Sequence, residues 1–382
     1  MNSSKLIATL MIVIGTVLIV AYLFLNRPAP IAPPAPTSTP EPIIPTMTPT
    51  HEVEPIAPLP TVTPSPTDTP NEETPSPPPL DLARVGVSGN HDHIAPALAD
   101  GLLFGAHLSW NTQPNLPDVE GVQFLQMVRM SETGMRSTTW DIIEETAVSH
   151  PNSVWIIGNE PDVIWQDNVT APAYAHWYHE AYQFIKGHDP TAQIAIAGVA
   201  QPTPLRLAYL DAVLDAYQTE FGEPMPIDVW TIHAFILREE ADSWGVGVPP
   251  GMTGELGRLY ELEDHADVAI VEEFMVDMRQ WMAARGYGER PLLVTEFGIL
   301  MPADYGFSDE VVDRYMGETL ALFNSLRGEY GLATDDGRLV QQYFWYILHD
   351  GDQYPRGNLL DPTTGQLTAV GEMYAKHIGA GE

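Results

Sequence analysis

Two glutamates stand at the ends of apolar runs that are typical of buried strands. Glu160 ends the run that begins at Ser153, and Glu296 ends the run that begins at Pro291. Strands covered on both faces have such continuous apolar sequences, as in the parallel sheets of α/β proteins. Pro161 disfavours a right-handed helical conformation at Glu160, so the strand stops there and the backbone aims the carboxylate. Although 136 residues separate them, both side chains would share one site if their strands belong to one barrel.

Two carboxyl groups with unequal proton affinities are what hydrolysis of a glycosidic bond requires. One must be a protonated acid beside the leaving oxygen, and the other an ionised carboxylate below the anomeric carbon. A separation of about 5 to 5.5 Å allows a covalent intermediate and retention of configuration, whereas about 6.5 to 9.5 Å leaves room for water and gives inversion. The fourth and seventh strands face each other across a small barrel, so we expect the shorter separation for Glu160 and Glu296.

Eight stretches with the composition of strands alternate with helical patterns. The strand candidates are, in order, 84–88, 102–110, 122–129, the run ending at Glu160, 193–199, 227–235, the run ending at Glu296, and 340–348. The helical patterns cover 173–186, 205–221, 267–285 and 311–326. Such alternation favours parallel strands joined by right-handed crossovers. We therefore predict an α/β fold, a (β/α)8 TIM barrel, whose first three units have the least distinct helices.

The carboxyl ends of the strands in such a barrel carry the residues that line the site. We predict that Glu160 and Glu296 are catalytic and that seven further residues at these ends bind substrate: Trp110, Asn111, Arg129, Asn159, His233, Tyr343 and Trp345. Aromatic rings cover the apolar faces of a sugar, and amide or imidazole groups bond its hydroxyls. This set favours a neutral oligo- or polysaccharide as the partner, and we expect no metal and no cofactor.

Several of these residues also have a purely structural interpretation. His233 follows apolar residues and could be a core histidine, and Tyr343 and Trp345 could serve only to pack the barrel. Arg129 could be the partner of a structural ion pair. Their positions in the fold decide between these alternatives.

Three motifs resemble those of the clan A retaining glycoside hydrolases. They are W-I-I-G-N-E-P-D at 155–162, W-T-I-H-A-F at 230–235 and V-T-E-F-G at 294–298. Within that clan the chain looks most like the glycosyl hydrolase catalytic core group that includes endo-β-1,3-glucanase-like enzymes. The resemblance covers roughly residues 81–380, and the pair of glutamate motifs at this spacing is fairly specific.

The resemblance implies a role for each matched residue. Glu160 would be the acid/base and Glu296 the nucleophile of a retaining enzyme. The resemblance further implies that Asn159 bonds the 2-hydroxyl of the substrate, that His233 lies near Glu296, and that Trp345 forms the floor of the sugar site. One departure is that many clan members have an arginine at the end of the second strand, where residues 104–110 offer none. Arg129 is our candidate for that role.

The amino-terminal 80 residues differ in composition from the rest. Residues 6–25 are twenty positions without a charge, which matches the length of a transmembrane helix, whereas a cleaved signal peptide has a shorter apolar region. Residues 27–80 hold 19 of the 36 prolines and are typical of an extended, disordered Pro/Thr-rich linker. We therefore predict a single-pass membrane anchor over 1–26 and an extracytoplasmic catalytic domain over 81–382. Cleavage of the anchor would make the domain a secreted protein.

Charge and cysteine content exclude several partners. Residues 81–382 carry 15 basic and 45 acidic residues, a formal charge of −30, which would repel nucleic acid and anionic lipid surfaces. The chain has no cysteine, so disulfides and thiolate metal sites are excluded. The membrane contact that we expect is therefore limited to the N-terminal helix.

Two other functions fit parts of the sequence. His91, Asp92 and His93 follow the first strand and could hold a divalent metal, as in amidohydrolase-type barrels. Those barrels need a histidine after the fifth strand, where this chain has Ala200 and Gln201. The second alternative is a surface carbohydrate-binding barrel without turnover. The long acidic loop at 236–264 could be a lid, a wall of the cleft or a solvated insertion.

Overall fold

Eight parallel strands are the framework of the part of the chain that can be described. The computed structural model describes residues 80–116, 119–252, 257–351 and 353–379. The predicted anchor (1–26) and all of the predicted linker except Leu80 lie outside these residues, so both remain predictions. Within the described ranges, no helix combines the length and the apolar character needed to span a bilayer.

The parallel strands form a nearly closed barrel. The strands of the described residues are β1 (Val85–Ser88), β2 (Ala106–Leu108), β3 (Gln123–Ser131), β4 (Gly134–Arg136), β5 (Val154–Ile157), β6 (Gln193–Ile196), β7 (Trp230–His233), β8 (Leu292–Phe297), β9 (Arg327–Leu332) and β10 (Gln342–Trp345). Eight of them pair in the order β6-β5-β3-β2-β1-β10-β8-β7. Bridges between Ala195 and Val229 and between Val199 and Ile232 join the outer strands β6 and β7. The predicted α/β barrel is confirmed.

Helices cover the outside of the barrel, and local sequence sets their ends. They are α1 (Ile94–Ala99), α2 (Trp140–Ser149), α3 (Ala171–His188), α4 (Pro204–Phe221), α5 (Val268–Ala284), α6 (Asp309–Ser325) and α7 (Ala369–Gly379). The Thr139 side chain caps α2 by accepting a hydrogen bond from Ile142 N. Proline occupies the first turn of α3 and of α4. α4 ends at Gly222, whose φ of 75° favours glycine. The four predicted helices correspond to α3–α6.

The first half of the barrel departs from regular alternation. α1 has only six residues, and the described residues contain no helix between β2 and β3. β4 forms an antiparallel hairpin with β3. The short α1 and the helix-free connection from β2 to β3 explain why the sequence lacks distinct helical patterns before the third predicted strand. The eight predicted strands all exist, although several are shorter than their apolar runs.

Side-chain alternation along the strands divides the core into two layers. Successive side chains of a strand point to opposite faces. The barrel interior is filled by a small apolar group that includes Leu108, Leu125, Met127, Val154, Ile156, Leu293 and Phe344. Their strand neighbours belong to the larger layer beneath the helices, and these include Trp155, Ile157, Val294, Tyr343 and Trp345. The alternation of side chains therefore also determines which residue at the carboxyl end of a strand points into the mouth of the barrel.

Candidate active site

Glu160 is held by a tight turn directly after β5. Its φ of 42° lies in the left-handed region, which is uncommon for a residue other than glycine. Glu160 thus avoids the right-handed helical conformation that Pro161 disfavours, as expected, but its backbone lies in the left-handed region and not in an extended one. The Glu160 N–H donates to Gly198 O at 3.0 Å. Strained backbone of this kind persists when the surroundings fix it, and it is frequent at functional sites.

A bulge in β8 places Glu296 opposite the last residue of β7. The parallel pairing matches Ile232 with Val294 and then His233 with Glu296, so Thr295 is an extra residue on β8. An extra residue of this type reverses which side chain faces a given side of the sheet. Glu296 is therefore directed to the same region as His233.

The imidazole of His233 bridges the two glutamates. Its Nδ1 lies 2.9 Å from Oε1 of Glu160 in a hydrogen bond, and its Nε2 lies 3.6 Å from Oε1 of Glu296, within ion-pair distance. The ring needs a glycine beside it, because a Cβ on Gly198 would lie 2.7 Å from Cδ2 of His233. The structure thus brings the three residues together from the ends of three different strands.

Burial controls the electrostatics of this group. Burial raises the pKa of Glu296 to about 7; the charge of His233 opposes that change and the charge of Glu160 adds to it. The indole Nε1 of Trp110 donates to Oε1 of Glu296 at 2.8 Å, and this bond together with the charge of Arg129 lowers the same pKa. Burial alone would lower the pKa of His233, but Glu296 and Glu160 outweigh it and raise that pKa. The protonation of Glu296 is consequently linked to that of His233, because the charge of each acts on the pKa of the other.

A cavity of about 470 Å³ opens above the two glutamates. Its lining combines carboxylates, an arginine and aromatic rings, and it includes Trp110, Arg129, Glu160, Trp165, Phe235, Glu296, Tyr346, Asp350 and Tyr354. Apolar rings beside a few polar groups are common in pockets that bind small molecules or sugars. Parts of the 236–264 loop, among them Leu237 and Val246, also line it, so this loop contributes a wall of the cavity.

Arg129 and Asn159 belong to a buried polar network next to Glu160. Arg129 Nε lies 2.6 Å from Oδ1 of Asp167, a completely buried carboxylate. Oδ2 of Asp167 accepts from the main-chain N–H groups of Asn159 at 2.8 Å and Met130 at 2.9 Å. Oδ1 of Asn159 is buried and has no hydrogen-bond partner within the described part of the chain. Arg129 therefore both lines the cavity and forms the ion pair that was its structural alternative.

Tyr343 and Trp345 lie in the layer beneath the helices, not in the cavity. Both are completely buried, and the indole Nε1 of Trp345 donates to Gly357 O at 2.8 Å. Phe344 between them points into the barrel, so the next inward residue is Tyr346, which does line the cavity. The structure thus places Tyr346, rather than Trp345, where a floor for a sugar is possible.

Asn111 is exposed and lies in a neighbouring groove. That groove shares Trp110 and Asp350 with the cavity and continues towards His91, Asp92 and His349. Asn111 is thus next to the candidate site without contacting either glutamate. Its main-chain oxygen accepts from Met127 N at 3.3 Å.

The histidines after β1 are held by other side chains. His91 Nε2 lies 3.1 Å from Ser109 Oγ, and His93 Nε2 lies 2.7 Å from Nε2 of His349. Among the described residues no group of three or more potential metal-ligating side chains comes together. Gln201, after β6, is buried and bonds both main-chain groups of Leu237. The geometry therefore offers no ligand set for the amidohydrolase alternative in the described ranges.

Sequence reasoning missed several cavity residues. Trp165 is 80% exposed at the rim, and Tyr354, Tyr346 and Asp350 lie on the wall. Tyr346 OH is 2.9 Å from Oδ2 of Asp350. The one available signal was the position of Tyr346 two residues after an inward-facing Phe344. The other three lie in loops, whose course the periodicity of strands does not determine.

Comparison with known proteins identifies the fold. No protein-family model matches the chain, and no curated protein matches it. Among solved structures, it is similar to a subgroup I endo-β-1,3-glucanase of glycoside hydrolase family 128 (GH128) from Amycolatopsis mediterranei, seen with laminarihexaose. The identity is 15%, the TM-score is 0.51, and the match covers 77% of this chain and 98% of the other. The fold is that of the GH128 β-1,3-glucanases.

Two further solved structures agree with this assignment. A subgroup II endo-β-1,3-glucanase from Pseudomonas viridiflava has 18% identity and a TM-score of 0.51, over 77% of this chain and 97% of the other. A subgroup III curdlan-specific exo-β-1,3-glucanase from Blastomyces gilchristii has 18% identity and a TM-score of 0.50, and the match covers 77% of this chain and 98% of the other. The resemblance to clan A barrels expected from the sequence is confirmed at the level of the fold.

Proposed function

We propose that this protein is a retaining glycoside hydrolase that cleaves β-linked bonds of a neutral glucan by double displacement. The observation that carries the proposal is the single imidazole of His233 between two buried carboxylates from the ends of β5 and β8. Aromatic and polar groups of the cavity support a sugar as the ligand. The GH128 glucanases with the same fold act on β-1,3-glucans, which makes a β-1,3-linked glucan the first substrate to test.

The bridge suggests how the site prepares for catalysis. With His233 doubly protonated, both glutamates can be ionised. Transfer of the Nδ1 proton to Oε1 of Glu160, along the 2.9 Å hydrogen bond, leaves a neutral imidazole whose Nε2–H faces Glu296. That transfer yields a protonated acid at Glu160 and a carboxylate at Glu296, the pair that the reaction requires.

The two chemical steps then use each glutamate in turn. Glu296 attacks the anomeric carbon while Glu160 gives its proton to the leaving oxygen, which forms a glycosyl-enzyme ester and releases the first product. In the second step Glu160 takes a proton from water, the water oxygen attacks the anomeric carbon, and the bond to Glu296 breaks. Retention requires about 5 to 5.5 Å between the carboxyl groups, and this separation stays a prediction.

The raised pKa of Glu296 places a condition on this assignment. A nucleophile must be ionised, and burial raises the pKa of Glu296 to about 7. We therefore expect activity to increase as the pH rises towards 7, because the fraction of ionised Glu296 increases. Trp110 and Arg129, which lower this pKa, extend activity to lower pH.

Mechanism-based labelling tests the proposal directly. A 2-deoxy-2-fluoro glucosyl or laminaribiosyl fluoride should label Glu296 in the wild type, as identified by peptide mass spectrometry. Glu160→Gln should lower kcat on laminarihexaose by about 10²- to 10⁴-fold. Binding of the oligosaccharide by the wild type without release of reducing ends would instead establish the carbohydrate-binding alternative.

We further propose that the N-terminal segment anchors the domain outside the cytoplasm. The support is the uncharged run at 6–25 and the proline-rich stretch that follows it. Expressed full-length protein should stay with the membrane fraction after a high-salt wash, and external protease should release the domain from intact cells. Recovery of full-length chain in the soluble cell extract would contradict this proposal.

A further inference from the structure

Arg206 is a completely buried arginine whose guanidinium contacts the turn that carries Glu160 and a loop that contributes to the cavity wall. It lies in the first turn of α4. Its Nε is 2.6 Å from Oδ2 of Asp162, and its Nη1 is 2.5 Å from Oε1 of Glu239. Its Nη2 donates to the main-chain oxygens of Val246 at 3.2 Å and Gly247 at 3.3 Å. One side chain therefore joins three segments that are distant in sequence.

The partners of Arg206 lie in two segments that also contribute residues to the cavity. Asp162 is two residues after Glu160, in the same turn. Glu239, Val246 and Gly247 belong to the 236–264 loop, in which Leu237, Gly245 and Val246 line the cavity. Arg206 thus connects the turn and the loop, because it pairs with Asp162 of the turn and with Glu239 of the loop.

The charges in this cluster are not balanced. Asp162 and Glu239 are both buried, so two carboxylates share a single guanidinium. Glu239 is fully bonded, because it also accepts from Thr203 Oγ1 at 2.5 Å and from Arg258 N at 2.7 Å. Asp162 has fewer donors, and Oδ1 of this residue has no hydrogen-bond partner in the described ranges. Burial raises the pKa of Asp162 to about 6, against the effect of Arg206 and with that of Glu160.

We propose that Arg206 is a positioning residue that couples the cavity wall at 237–247 to the turn of Glu160 through Asp162. A displacement of this wall by a bound glycan would then be transmitted to the turn that carries Glu160, the proposed acid/base. The inference rests on the proposed hydrolase function. It adds that Asp162, although it does not line the cavity, acts electrostatically on His233, which bridges Glu160 and Glu296.

The alternative is that Arg206 serves only to stabilise the fold. Arg279 offers a matched comparison, because it is also completely buried but donates only to main-chain oxygens, those of Gly288, Arg290 and Tyr330. Its partners lie before β8 and on β9, away from the cavity. Loss of a guanidinium at Arg279 should therefore affect stability without affecting the geometry of Glu160.

The first experiment compares Arg206→Lys with Arg279→Lys. A lysine keeps the charge but lacks the fork that reaches several acceptors at once. We expect Arg206→Lys to lower kcat on laminarihexaose by about 10- to 100-fold, with a smaller change in KM, because a displaced catalytic group costs rate. Arg279→Lys should lower Tm with kcat within about twofold of the wild type. Equal losses of kcat in both variants, or none in Arg206→Lys, would overturn the proposal.

The second experiment does not depend on activity or on the stability of an arginine variant. Asp162→Asn keeps the size of the side chain and removes its charge. The groups that act on His233 are Glu296, Glu160 and Asp162, and the charge of Asp162 raises the pKa of His233. Titration of the His233 ring by 15N NMR should therefore give a lower midpoint in Asp162→Asn than in the wild type. Glu239→Gln, which removes the other charge bound to Arg206, should change this midpoint less.

These measurements separate the two proposals. If the wild type hydrolyses no glucan, a lower His233 midpoint in Asp162→Asn still supports the coupling, and the failure then belongs to the proposed activity. An unchanged midpoint in folded Asp162→Asn would contradict the coupling even when the wild type is active. Circular dichroism at the NMR pH values verifies that each variant is folded.

Discussion

Buried arginines have different partners at the two ends of the barrel. At the amino end of the strands, Arg279 donates to three main-chain oxygens at 2.8 to 3.1 Å. Arg84 donates to the main-chain oxygens of Phe323 and Val340, and its Nη1 also lies 3.5 Å from Oδ2 of the partly exposed Asp335. At the carboxyl end, Arg129 and Arg206 form ion pairs with buried carboxylates, those of Asp167, Asp162 and Glu239. Hydrogen bonds to main-chain oxygens thus predominate at the amino end, and ion pairs with fully buried carboxylates are found at the carboxyl end.

The two sets of partners indicate two roles for arginine, stabilisation of the fold at the amino end and positioning of charged groups at the carboxyl end. A guanidinium that bonds carbonyls satisfies polar groups that would otherwise be buried without partners, and this stabilises the fold. A buried ion pair contributes little net stability because desolvation offsets its attraction, but removal of one partner is costly. The amino end therefore uses arginine for stability. At the carboxyl end, the ion pairs fix the turns and loops around Glu160 and Glu296, as is usual for the two ends of such barrels.

The largest contrast is expected when a charge at the carboxyl end is removed. Glu296→Gln should lower kcat by about 10⁴-fold or more, because the nucleophile is lost. It should also stabilise the protein at high pH. The pKa of Glu296 is raised to about 7 in the folded state, so its contribution to stability is present below about 4.5 and is lost as the pH rises through 7. Replacing Glu296 with glutamine removes this loss of stability at high pH.

Urea unfolding at two pH values measures this effect. The free energy of unfolding of Glu296→Gln minus that of the wild type should be more positive at pH 8 than at pH 5, by up to about 3 kcal/mol. Part of this gain is offset because His233 loses the attraction of the carboxylate. Glu289→Gln, at an exposed position of the amino end, is the control and should stay within about 0.5 kcal/mol of the wild type at both pH values. A pH-independent difference for Glu296→Gln would refute the raised pKa.

The second prediction compares arginines of the two ends. Arg279→Met should lower the free energy of unfolding by about 2 to 4 kcal/mol, because three carbonyl groups lose their donor, while kcat/KM stays unchanged. Arg129→Met leaves the buried Asp167 with only the more distant, exposed guanidinium of Arg136, 3.8 Å away, and should cost about 3 to 5 kcal/mol. It should also lower kcat/KM, since Asp167 holds the main chain of Asn159. Equal kcat/KM in both variants would remove the distinction between the ends.

Much of this architecture was predictable because buried strands have a simple sequence pattern. Continuous apolar runs located all eight barrel strands, and the acids that end two of them lie together in the candidate site. For Trp345, the apolar run predicts the strand but not the face of the strand on which the side chain lies. A strand of known position still has two faces, and a shift of one residue exchanges them. Phe344 takes the inward position on β10, so Trp345 joins the outer layer and Tyr346 reaches the cavity.

Other features of the site depend on contacts between distant segments. Nothing in the local sequence indicates that Thr295 is the extra residue of a bulge, because the bulge is defined by the partner strand β7. The left-handed conformation of Glu160 is similarly fixed by its bond to Gly198 O. The bridging position of His233 follows from both. Its proximity to Glu296 was implied by the family resemblance, whereas its hydrogen bond to Glu160 was not foreseen.

A third prediction concerns the hydrogen bond from Trp110 to Glu296. Trp110→Phe removes the indole N–H and keeps an aromatic ring in the cavity. Because this bond lowers the pKa of Glu296, its loss should move the acid limb of the kcat/KM profile to higher pH by about one unit. The control Trp140→Phe replaces a half-buried tryptophan of α2 that contacts Phe184, and it should leave the limb in place. A shift to lower pH would contradict the assignment of that limb to Glu296.

The smallest expected effect is at the rim of the cavity. Trp165 is 80% exposed, so the fold gains little from its ring, and Trp165→Ala should change the free energy of unfolding by less than about 0.5 kcal/mol. If the ring covers a sugar face, KM for laminarihexaose should rise about 2- to 10-fold with kcat unchanged. Tyr330→Ala, which removes an exposed ring at the amino end, should leave KM unaltered. A similar rise in KM for both would mean that exposed rings bind glycan at either end, and that the cavity at the carboxyl end is not the only binding surface.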